Sequence, residues 1–231
     1  MEKADTIIAI SQNTKDDILK FYPHISASKI EVVYLSHSIE LEGAVSTIPG
    51  LPEKYILFVG SRIDYKNFTF FIEAIAPLLK SVPELYVVCA GGGKIKPPEK
   101  ELLEQLNITP QIIQQDFEDR DLAAYYHHAQ CFVFPSLYEG FGIPVLEAME
   151  CGCPVVLSAH SSFTEVAGAA GVYFEKNNAN DLLEKVTSLI GGSLLKHKYI
   201  AAGYEQSKKF SWQKTIVECL DIYKKTIYEQ K

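Results

Sequence analysis

The stretch YILFVGSRIDYKNFTFFIEAIAPLLK, residues 55–80, contains the pattern that decides the fold. Its first five residues are all apolar and lead into Gly60, which is typical of a strand buried on both faces. From Asn67 to Lys80 the apolar residues recur at helical spacing. A buried strand followed by a loop and an amphipathic helix is the repeating unit of a parallel sheet covered by helices.

The same alternation continues along most of the chain. Five further apolar runs predict strands, at Leu85–Ala90, Ile112–Ile113, Cys131–Phe134, Pro154–Leu157 and Gly171–Phe174. Four helices are predicted between or after them, at 98–106, at 119–129 with Asp119 as N-cap, at 144–151 with Pro144 in the first position, and at 179–190. We therefore expect a doubly wound, Rossmann-like α/β domain over residues 54–192.

The regions on either side of this domain differ from it. Residues 1–40 predict a strand, a helix and a strand, at Thr6–Ile10, Asn13–Phe21 and Lys29–Leu35. A unit this small cannot bury its own faces, so it must dock on the main domain or on a partner. Residues 41–53 resemble a linker, and residues 193–231 predict two C-terminal helices, with Ser211 capping the second.

Composition excludes several classes of protein. The chain has 231 residues, 22 Lys+Arg against 29 Asp+Glu, and a formal net charge of -7. Arg62 and Arg120 are its two arginines, so nucleic-acid binding is disfavoured. A hydrophobic content of 47% with 22% charged residues is typical of a globular domain.

Neither a membrane-spanning helix nor a signal peptide is predicted. No apolar run approaches the roughly 18 residues that a membrane span needs, and the run over residues 6–10 is too short for a signal peptide. The odd number of cysteines, 5, indicates reduced thiols, and Cys151-Gly-Cys153 lacks the spacing of a zinc site. We expect a cytoplasmic protein without a bound metal, and peripheral contact with the inner face of a membrane remains open.

In an open parallel sheet, ligands bind at the carboxyl ends of the strands, so the loops after the strands are the candidate sites. After Phe134, a glycine-containing loop leads into the helix that starts near Pro144. The free N–H groups around residues 141–143 and the helix dipole favour an anion such as phosphate. Lys66 and Arg62, in the loop after Gly60, would add positive charge, so a diphosphate could be neutralised without a metal.

Two carboxylates accompany this predicted phosphate site. Glu139 precedes the helix and Glu147 lies within its first turns. Carboxylates repel a phosphate unless they have hydroxyl groups from which to accept hydrogen bonds, and sugar hydroxyls supply these. The third candidate loop, at glycines 91–93, is typical of a tight turn.

The segment YEGFGIPVLEAMECGCPVV, residues 138–156, resembles the E-x7-E region of retaining glycosyltransferases of the GT-B fold, specifically family four. ILFVGSRIDYKNF, residues 56–68, is similar to the phosphate loop of that family. AISQNTKDDI (9–18) and KIEVVYL (29–35) resemble the segment before its interdomain linker. The resemblance covers nearly the whole chain, in the order of the family.

The resemblance implies roles for individual residues. Lys66 and Arg62 would bind the diphosphate of the donor, although Arg62 lies one position later than the arginine in much of the family. Lys66 would also stabilise the leaving group, and Glu139 would lie beside the positive charge that develops on the sugar. Glu147 would accept hydrogen bonds from the ribose. The remaining implied contacts are backbone contacts to sugar and phosphate at Gly140, Phe141, Gly142 and Ile143, and a nucleobase site near Gln115 and Phe117.

One further segment receives no direct role. Near Ser161–Glu165 the family commonly has a proline before the glutamate, and Thr164 stands at that position.

For the whole chain, the resemblance implies the C-terminal, donor-binding half of a retaining glycosyltransferase. Such an enzyme transfers a hexose from a nucleotide-diphosphate sugar to a glycan or lipid-linked acceptor, and we expect a role in bacterial cell-surface polysaccharide synthesis without a cofactor. Residues 1–40 would be a remnant of the N-terminal domain, whose missing part lies in the same longer chain or in a separate subunit. We expect the chain alone to be inactive and to self-associate through apolar surface at residues 6–10 and 32–35.

Other functions remain open at this point. The chain could be a non-catalytic nucleotide-sugar-binding module or a subunit of a two-chain transferase. A sugar-nucleotide epimerase or a phosphorylase could use the same architecture, although we find no lysine context for pyridoxal. A dinucleotide dehydrogenase is disfavoured, since no G-x-G-x-x-G follows the strand that ends near Gly60.

Overall fold

The N-terminal part of the chain forms a small strand–helix–strand unit. The computed structural model describes residues 1, 3–39, 45 and 47–229. Strand β1 (Ile7–Ala9) pairs in parallel with β2 (Ile30–Val32), and helix α1 (Gln12–Phe21) connects them. Ser11 caps α1, because its Oγ accepts the N–H of Thr14 at 3.0 Å. The predicted order of elements is confirmed, with strands shorter than expected.

A sheet of six parallel strands forms the centre of the protein. In chain order the strands are β3 (Tyr55–Val59), β4 (Tyr86–Ala90), β5 (Ile112–Gln115), β6 (Cys131–Phe134), β7 (Val155–Ser158) and β8 (Gly171–Phe174). Their spatial order is β5-β4-β3-β6-β7-β8. The chain runs outward from β3 through β4 to β5, then returns to the other side of β3 and continues to β8. β3 and β6 are therefore the neighbours at which the strand order reverses.

Helices cover both faces of this sheet. They are α2 (Phe68–Ser81), α3 (Pro97–Gln105), α4 (Leu122–His128), α5 (Ile143–Glu150), α6 (Phe163–Ala167), α7 (Ala179–Gly191) and α8 (Ser193–Ser207). The last helix, α9 (Trp212–Glu229), lies beside the N-terminal unit instead. Leu57 of β3 packs in a core with residues of α4, α5 and α6, whereas its neighbour Phe58 packs in a second core with residues of α2, α3 and α7. Successive side chains of a strand point to opposite faces, which explains why every residue of β3 is buried. The predicted doubly wound fold is confirmed.

Two local expectations were wrong, and one short helix was missed. Asp119 is not the N-cap of α4, because a 3-10 turn over Asp119–Asp121 precedes the helix and Glu118 caps that turn. Pro144 occupies the second helical position, since α5 begins at Ile143 after the left-handed Gly142. Helix α6 was not predicted, and its five residues are too few to show a helical period.

The regions on either side of the sheet pack against it more than their sequences indicate. Residues 40–44 and 46 of the predicted remnant and linker lie outside the described residues, whereas Ile48 and Leu51 pack against the core. Ser211 caps α9 as predicted, with its Oγ accepting the N–H of Lys214 at 3.2 Å.

Four of the five cysteines are buried free thiols. Within the described residues, no helix combines the length and apolarity needed to cross a membrane.

Candidate functional site

The loops after β3 and β6 meet at the carboxyl edge of the sheet, where the strand order reverses. In doubly wound sheets this switch point leaves a crevice in which ligands bind. The N–H of Leu137, in the loop after β6, donates to the carbonyl of Tyr65, in the loop after β3, at 2.7 Å. This hydrogen bond ties together the two loops that carry Lys66 and Glu139.

Lys66 and Glu139 form an ion pair at this junction. The Nζ–Oε1 distance is 2.7 Å, and the two side chains are 13% and 15% exposed. The ammonium also lies 4.6 Å from the centroid of the Phe134 ring. The structure thus brings together the two residues that the sequence predicted to be catalytic, in a partly buried position where a charge interaction is only weakly screened.

Side-chain hydroxyls hold the carbonyl groups of the loop that starts at Glu139. Ser161 Oγ donates to the carbonyl of Glu139 at 2.7 Å. Ser162 Oγ lies 3.0 Å from the same carbonyl and 2.9 Å from that of Phe141. The Ser161–Ser162 pair therefore supports this loop from the segment before α6.

The carbonyl between these two, that of Gly140, is held by the N-terminal unit. Ser11 Oγ lies 2.6 Å from the carbonyl oxygen of Gly140, and Thr14 Oγ1 lies 3.2 Å from it. Of the two docking places that the sequence left open, the unit thus uses the main domain, and the contact lies directly at the candidate site.

The carbonyl contacts determine where the backbone N–H groups point. In a trans peptide the carbonyl and the following N–H point in opposite directions, so the N–H groups of Gly140, Phe141 and Gly142 point away from the side chains that hold the carbonyls. Among the described residues, no hydrogen bond uses the N–H of residues 140–143. With the N-terminal end of α5 beside them, these groups form a cradle suited to an anion.

Gly142 allows the backbone to adopt the turn that leads into α5. Its φ is 96°, a left-handed conformation that L-residues with a side chain rarely adopt, and an added Cβ would lie 3.4 Å from Phe163. The glycine therefore has a conformational reason to occupy the N-cap position in front of the cradle.

Glu147 lies in the second turn of α5 and is largely buried. Tyr126 donates its hydroxyl to Glu147 Oε2 at 3.1 Å. Burial raises the pKa of Glu147, Asp119 raises it further, and the hydrogen bond from Tyr126 acts against this rise. Burial also raises the pKa of Tyr126 well above its usual value, which keeps it a donor. The site thus holds a poorly solvated carboxylate that would be stabilised by further hydroxyl donors.

Gln115 is the last residue of β5 and Phe117 follows the strand, on the same edge of the sheet. Tyr125 donates its hydroxyl to Gln115 Oε1 at 3.0 Å, and the Gln115 amide lies 3.4 Å from the carbonyl of Pro49. The ring of Phe117 packs against that of Tyr125 at 5.8 Å and against Gly91. Strand β4 lies between β5 and β3. Gln115 and Phe117 therefore lie two strands along the sheet edge from the loop that carries Lys66.

Arg62 occupies a different environment from Lys66. Its Nε lies 3.1 Å from Glu99 Oε1, and its side chain is 1% exposed. The rest of the guanidinium donates to three carbonyls after β4, those of Gly91, Gly93 and Lys94, at 3.2, 2.7 and 3.0 Å. Arg62 therefore holds the glycine turn, and the structure does not bring its guanidinium to the Lys66–Glu139 pair.

Sequence reasoning missed several residues that shape the site. Glu165 accepts hydrogen bonds from the first turn of α1, and Ser11, Thr14, Ser161 and Ser162 hold the loop carbonyls. Ser11 is recognisable as a helix N-cap from sequence alone, but its contact with residue 140 spans 129 positions and has no local signal. In the described part of the chain, no group of three or more His, Cys, Asp or Glu side chains is arranged to hold a metal ion.

The sequence is similar to those of bacterial mannosyltransferases. It is 30% identical over 229 residues to the serotype-specific mannosyltransferase WbdA of Escherichia coli, covering 93% of this chain and 28% of WbdA. It is 27% identical to the O-antigen chain mannosyltransferase B of Escherichia coli, covering 97% of this chain and 61% of that protein. The chain thus spans less than two thirds of each of these relatives.

The structure is similar to that of sucrose-phosphate synthase from Thermosynechococcus elongatus. The TM-score is 0.81 at 20% sequence identity, and the match covers 99% of this chain and 60% of the other. This likeness supports the predicted fold, half of a GT-B glycosyltransferase. The sequence profile described as "Glycosyl transferases group 1" matches residues 46–206. Because this match covers more than half of the 231 residues, the chain belongs to the family of group 1 glycosyl transferases.

Proposed function

We propose that this chain provides the donor site of a retaining hexosyltransferase that uses a nucleotide-diphosphate sugar. The observation that carries the proposal is the Lys66–Glu139 pair beside the unpartnered N–H groups of residues 140–143, at the switch point of the sheet. A cation beside a loop with several unpartnered N–H groups suits a diphosphate, and the neighbouring carboxylate suits a sugar.

In the proposed mechanism, the donor diphosphate takes the place of Glu139 beside Lys66. An acceptor hydroxyl bonds to the anomeric carbon on the face from which the diphosphate leaves, and its proton passes to the departing phosphate oxygen. As the bond from the sugar to the phosphate breaks, negative charge builds on the phosphate oxygen and positive charge builds on the sugar ring. Lys66 and the N–H groups of the cradle stabilise the first, and the released Glu139 carboxylate stabilises the second. Glu139 acts here by its charge and position, with no covalent bond to the sugar.

The remaining parts of the donor are assigned to the rest of the edge. Glu147, with Tyr126 as its protein donor, accepts hydrogen bonds from the ribose hydroxyls, which would stabilise its ionised form. The nucleobase lies near Gln115 and Phe117, where an aromatic ring is available. We assign Arg62 to holding the glycine turn, since its guanidinium already has four protein partners.

Sugar and acceptor are proposed from the relatives. Two of them are named as mannosyltransferases, and one of these as an O-antigen chain enzyme, which supports mannose as the first hexose to test and a polysaccharide or lipid-linked glycan as acceptor. The acceptor site would lie on a further domain, in the same chain or a separate subunit. The residues described here would then bind donor and transfer sugar poorly by themselves.

Exposed apolar residues mark where such a domain, a second copy or a membrane surface could make contact. The predicted patch at residues 6–10 and 32–35 is half-buried, because α9 packs near it with Thr226 Oγ1 3.0 Å from Thr6 Oγ1. Half of the large apolar side chains that are exposed among the described residues lie on α9, at Trp212, Ile216, Val217, Leu220, Tyr223, Ile227 and Tyr228. Light scattering at several protein concentrations measures whether this surface drives self-association.

Calorimetric titration with UDP, GDP, ADP and their sugar conjugates tests the proposal. We expect selective binding of one nucleoside diphosphate in the range of about 10 µM to 1 mM. Binding should be lost in Lys66→Ala and retained in Lys54→Ala, whose lysine pairs with Glu84 on the surface. Binding without turnover after the whole enzyme is assembled would favour the non-catalytic module, and no binding of any nucleotide to the folded chain would contradict the proposed donor site.

A further inference from the structure

Glu165, on the short helix α6, binds the N-terminal end of α1. Its Oε2 accepts the backbone N–H of Gln12 at 2.8 Å, and its Oε1 accepts that of Asn13 at 3.0 Å. The hydroxyl of Tyr34 also donates to Oε2, at 3.2 Å. A carboxylate at this position satisfies two N–H groups that lack partners within the helix and interacts favourably with the helix dipole.

The same turn of α1 holds the cradle of the proposed donor site. Ser11 precedes the two residues that Glu165 binds, and Thr14 follows them. The hydroxyls of these residues lie 2.6 and 3.2 Å from the carbonyl oxygen of Gly140. Glu165 therefore holds the first turn of α1 in place. Ser11 and Thr14 at that turn hold the orientation of the peptide group that begins with the carbonyl of Gly140.

The peptide group that Ser11 and Thr14 hold joins the carbonyl of Gly140 to the N–H of Phe141. Since the peptide group is planar, holding the carbonyl of Gly140 against α1 points the N–H of Phe141 in the opposite direction. This N–H is one of the cradle donors that have no partner among the described residues. A rotation of the peptide would remove a donor from the anion site without moving Lys66 or Glu147.

We propose that Glu165 is a positioning residue for the donor diphosphate, acting through α1 and the carbonyl of Gly140 on the N–H of Phe141. The inference rests on the proposed function. It assigns the N-terminal unit a part in the donor site itself, beyond the packing that its small size requires.

The experiment compares Glu165→Gln with wild type in the binding of nucleoside mono- and diphosphates. A glutamine at 165 keeps one acceptor oxygen and places an NH2 donor against one of the two N–H groups of α1, so only one of these hydrogen bonds can remain. We expect the Kd of the diphosphate to rise about tenfold while that of the monophosphate, which lacks the terminal phosphate, changes less than twofold. Glu205→Gln is the matched control, since Glu205 forms an exposed pair with Lys208 on α8.

Thr14→Val is the second variant, in case Glu165→Gln compromises folding. It removes one hydroxyl from the carbonyl of Gly140 and leaves Glu165 and the Ser11 cap in place. We expect the same selective loss of diphosphate affinity, of about threefold. In both variants the amide resonance of Phe141 should shift less on diphosphate addition than it does in wild type.

The outcomes separate this inference from the function on which it rests. Equal weakening of mono- and diphosphate binding would show that Glu165 only stabilises the fold, and unchanged affinities in both variants would show that it is not coupled to the cradle. Either result overturns the inference while the donor site stands. Failure of wild type to bind any nucleotide would instead overturn the proposed function, and the inference with it.

Discussion

Lys66 and Arg62 lie four positions apart in the loop after β3, yet the fold places them in opposite kinds of environment. Arg62 is directed at the loop after β4 and at the first turn of α3, where three carbonyls of the loop and Glu99 of the helix surround its guanidinium. Lys66 is directed at the loop after β6, where Glu139 is its ion-pair partner. From the sequence, both cations were predicted to bind the same diphosphate.

The difference shows how the number of protein partners separates a structural cation from one available to a ligand. A guanidinium with four hydrogen-bonding partners inside the protein would have to break them to bind a phosphate, leaving buried carbonyls unpaired. An ammonium with one carboxylate partner can exchange it for a phosphate at little cost, because one anion replaces another. Variants of Arg62 and Lys66 test this contrast. A variant of Glu147 tests whether a buried carboxylate of the site is likewise available to a ligand.

The largest effect is expected from Arg62→Met, and it is an effect on stability. Removing the guanidinium leaves Glu99 buried without its partner, so the free energy of unfolding should fall by about 3–5 kcal/mol. Urea denaturation measures this loss. In the fraction that remains folded, nucleotide affinity should change by less than about threefold, which corresponds to under 0.7 kcal/mol by the relation of about 1.4 kcal/mol per tenfold.

Two further variants serve as controls for Arg62→Met. Arg120→Met removes the other arginine, whose side chain is 78% exposed beside Glu118, and should cost less than about 1 kcal/mol. Adding Glu99→Leu to Arg62→Met should restore part of the stability, since no unpaired charge is then buried. A stable Arg62→Met protein that has lost nucleotide binding would instead assign Arg62 to the donor.

Lys66→Ala should show the reverse pattern, with a loss of binding and little loss of stability. We expect the Kd for the nucleoside diphosphate to rise at least tenfold, which is about 1.4 kcal/mol, because a charge-assisted hydrogen bond to phosphate is removed. The free energy of unfolding should fall by less than in Arg62→Met, because removing Lys66 leaves one carboxylate without its partner but no buried carbonyls. Calorimetry and urea denaturation on one sample measure both quantities, and a large drop in stability without a change in Kd would remove the contrast with Arg62.

Glu147→Gln should change the pH dependence of stability. Because the pKa of Glu147 is raised in the folded state, the folded protein holds a proton at pH values where the unfolded chain has lost it. Stability should therefore fall as pH rises from the usual glutamate pKa through the raised one, and ionised Glu147 destabilises the ligand-free protein above that window. Glu147→Gln should remove this component, so the variant should equal wild type at low pH and exceed it at neutral pH.

The same pKa gives nucleotide binding a pH dependence. Ribose hydroxyls donate best to the ionised carboxylate, so the affinity of wild type should increase as pH rises through the raised pKa of Glu147. Calorimetry at several pH values should show this increase in wild type and a flatter profile in Glu147→Gln. Parallel profiles for the two proteins would place the ribose elsewhere.

The smallest effect is expected from removing divalent metal ions. If Lys66 and the N–H groups of the cradle neutralise the diphosphate, EDTA should leave the nucleotide Kd unchanged within about twofold. Titrations with EDTA and with added Mg²⁺ measure this. A large gain in affinity with Mg²⁺ would show that Lys66 and the cradle do not provide enough positive charge by themselves.

The sequence predicted the central sheet closely because its signals are local. Strand β3 and helix α2 begin and end within one residue of the predicted bounds, since an apolar run and a helical period are properties of neighbouring residues. The prediction of the cradle also rests on neighbouring residues, the glycine at 142 and the helix that follows it. Helix α6 was missed because its five residues make little more than one helical turn, too few for a repeating apolar pattern.

The sequence by itself determined the fold class, the family resemblance and the pairing of Lys66 with the loop that carries Glu139. Only the tertiary structure decided that Arg62 is directed to Glu99 and that Glu165 holds α1 against the cradle. Side chains of Arg and Glu are long and flexible, and their direction depends on which acceptors and donors the fold brings near them. For Glu165 and Gln12 those groups are 153 positions apart, beyond the reach of any local pattern.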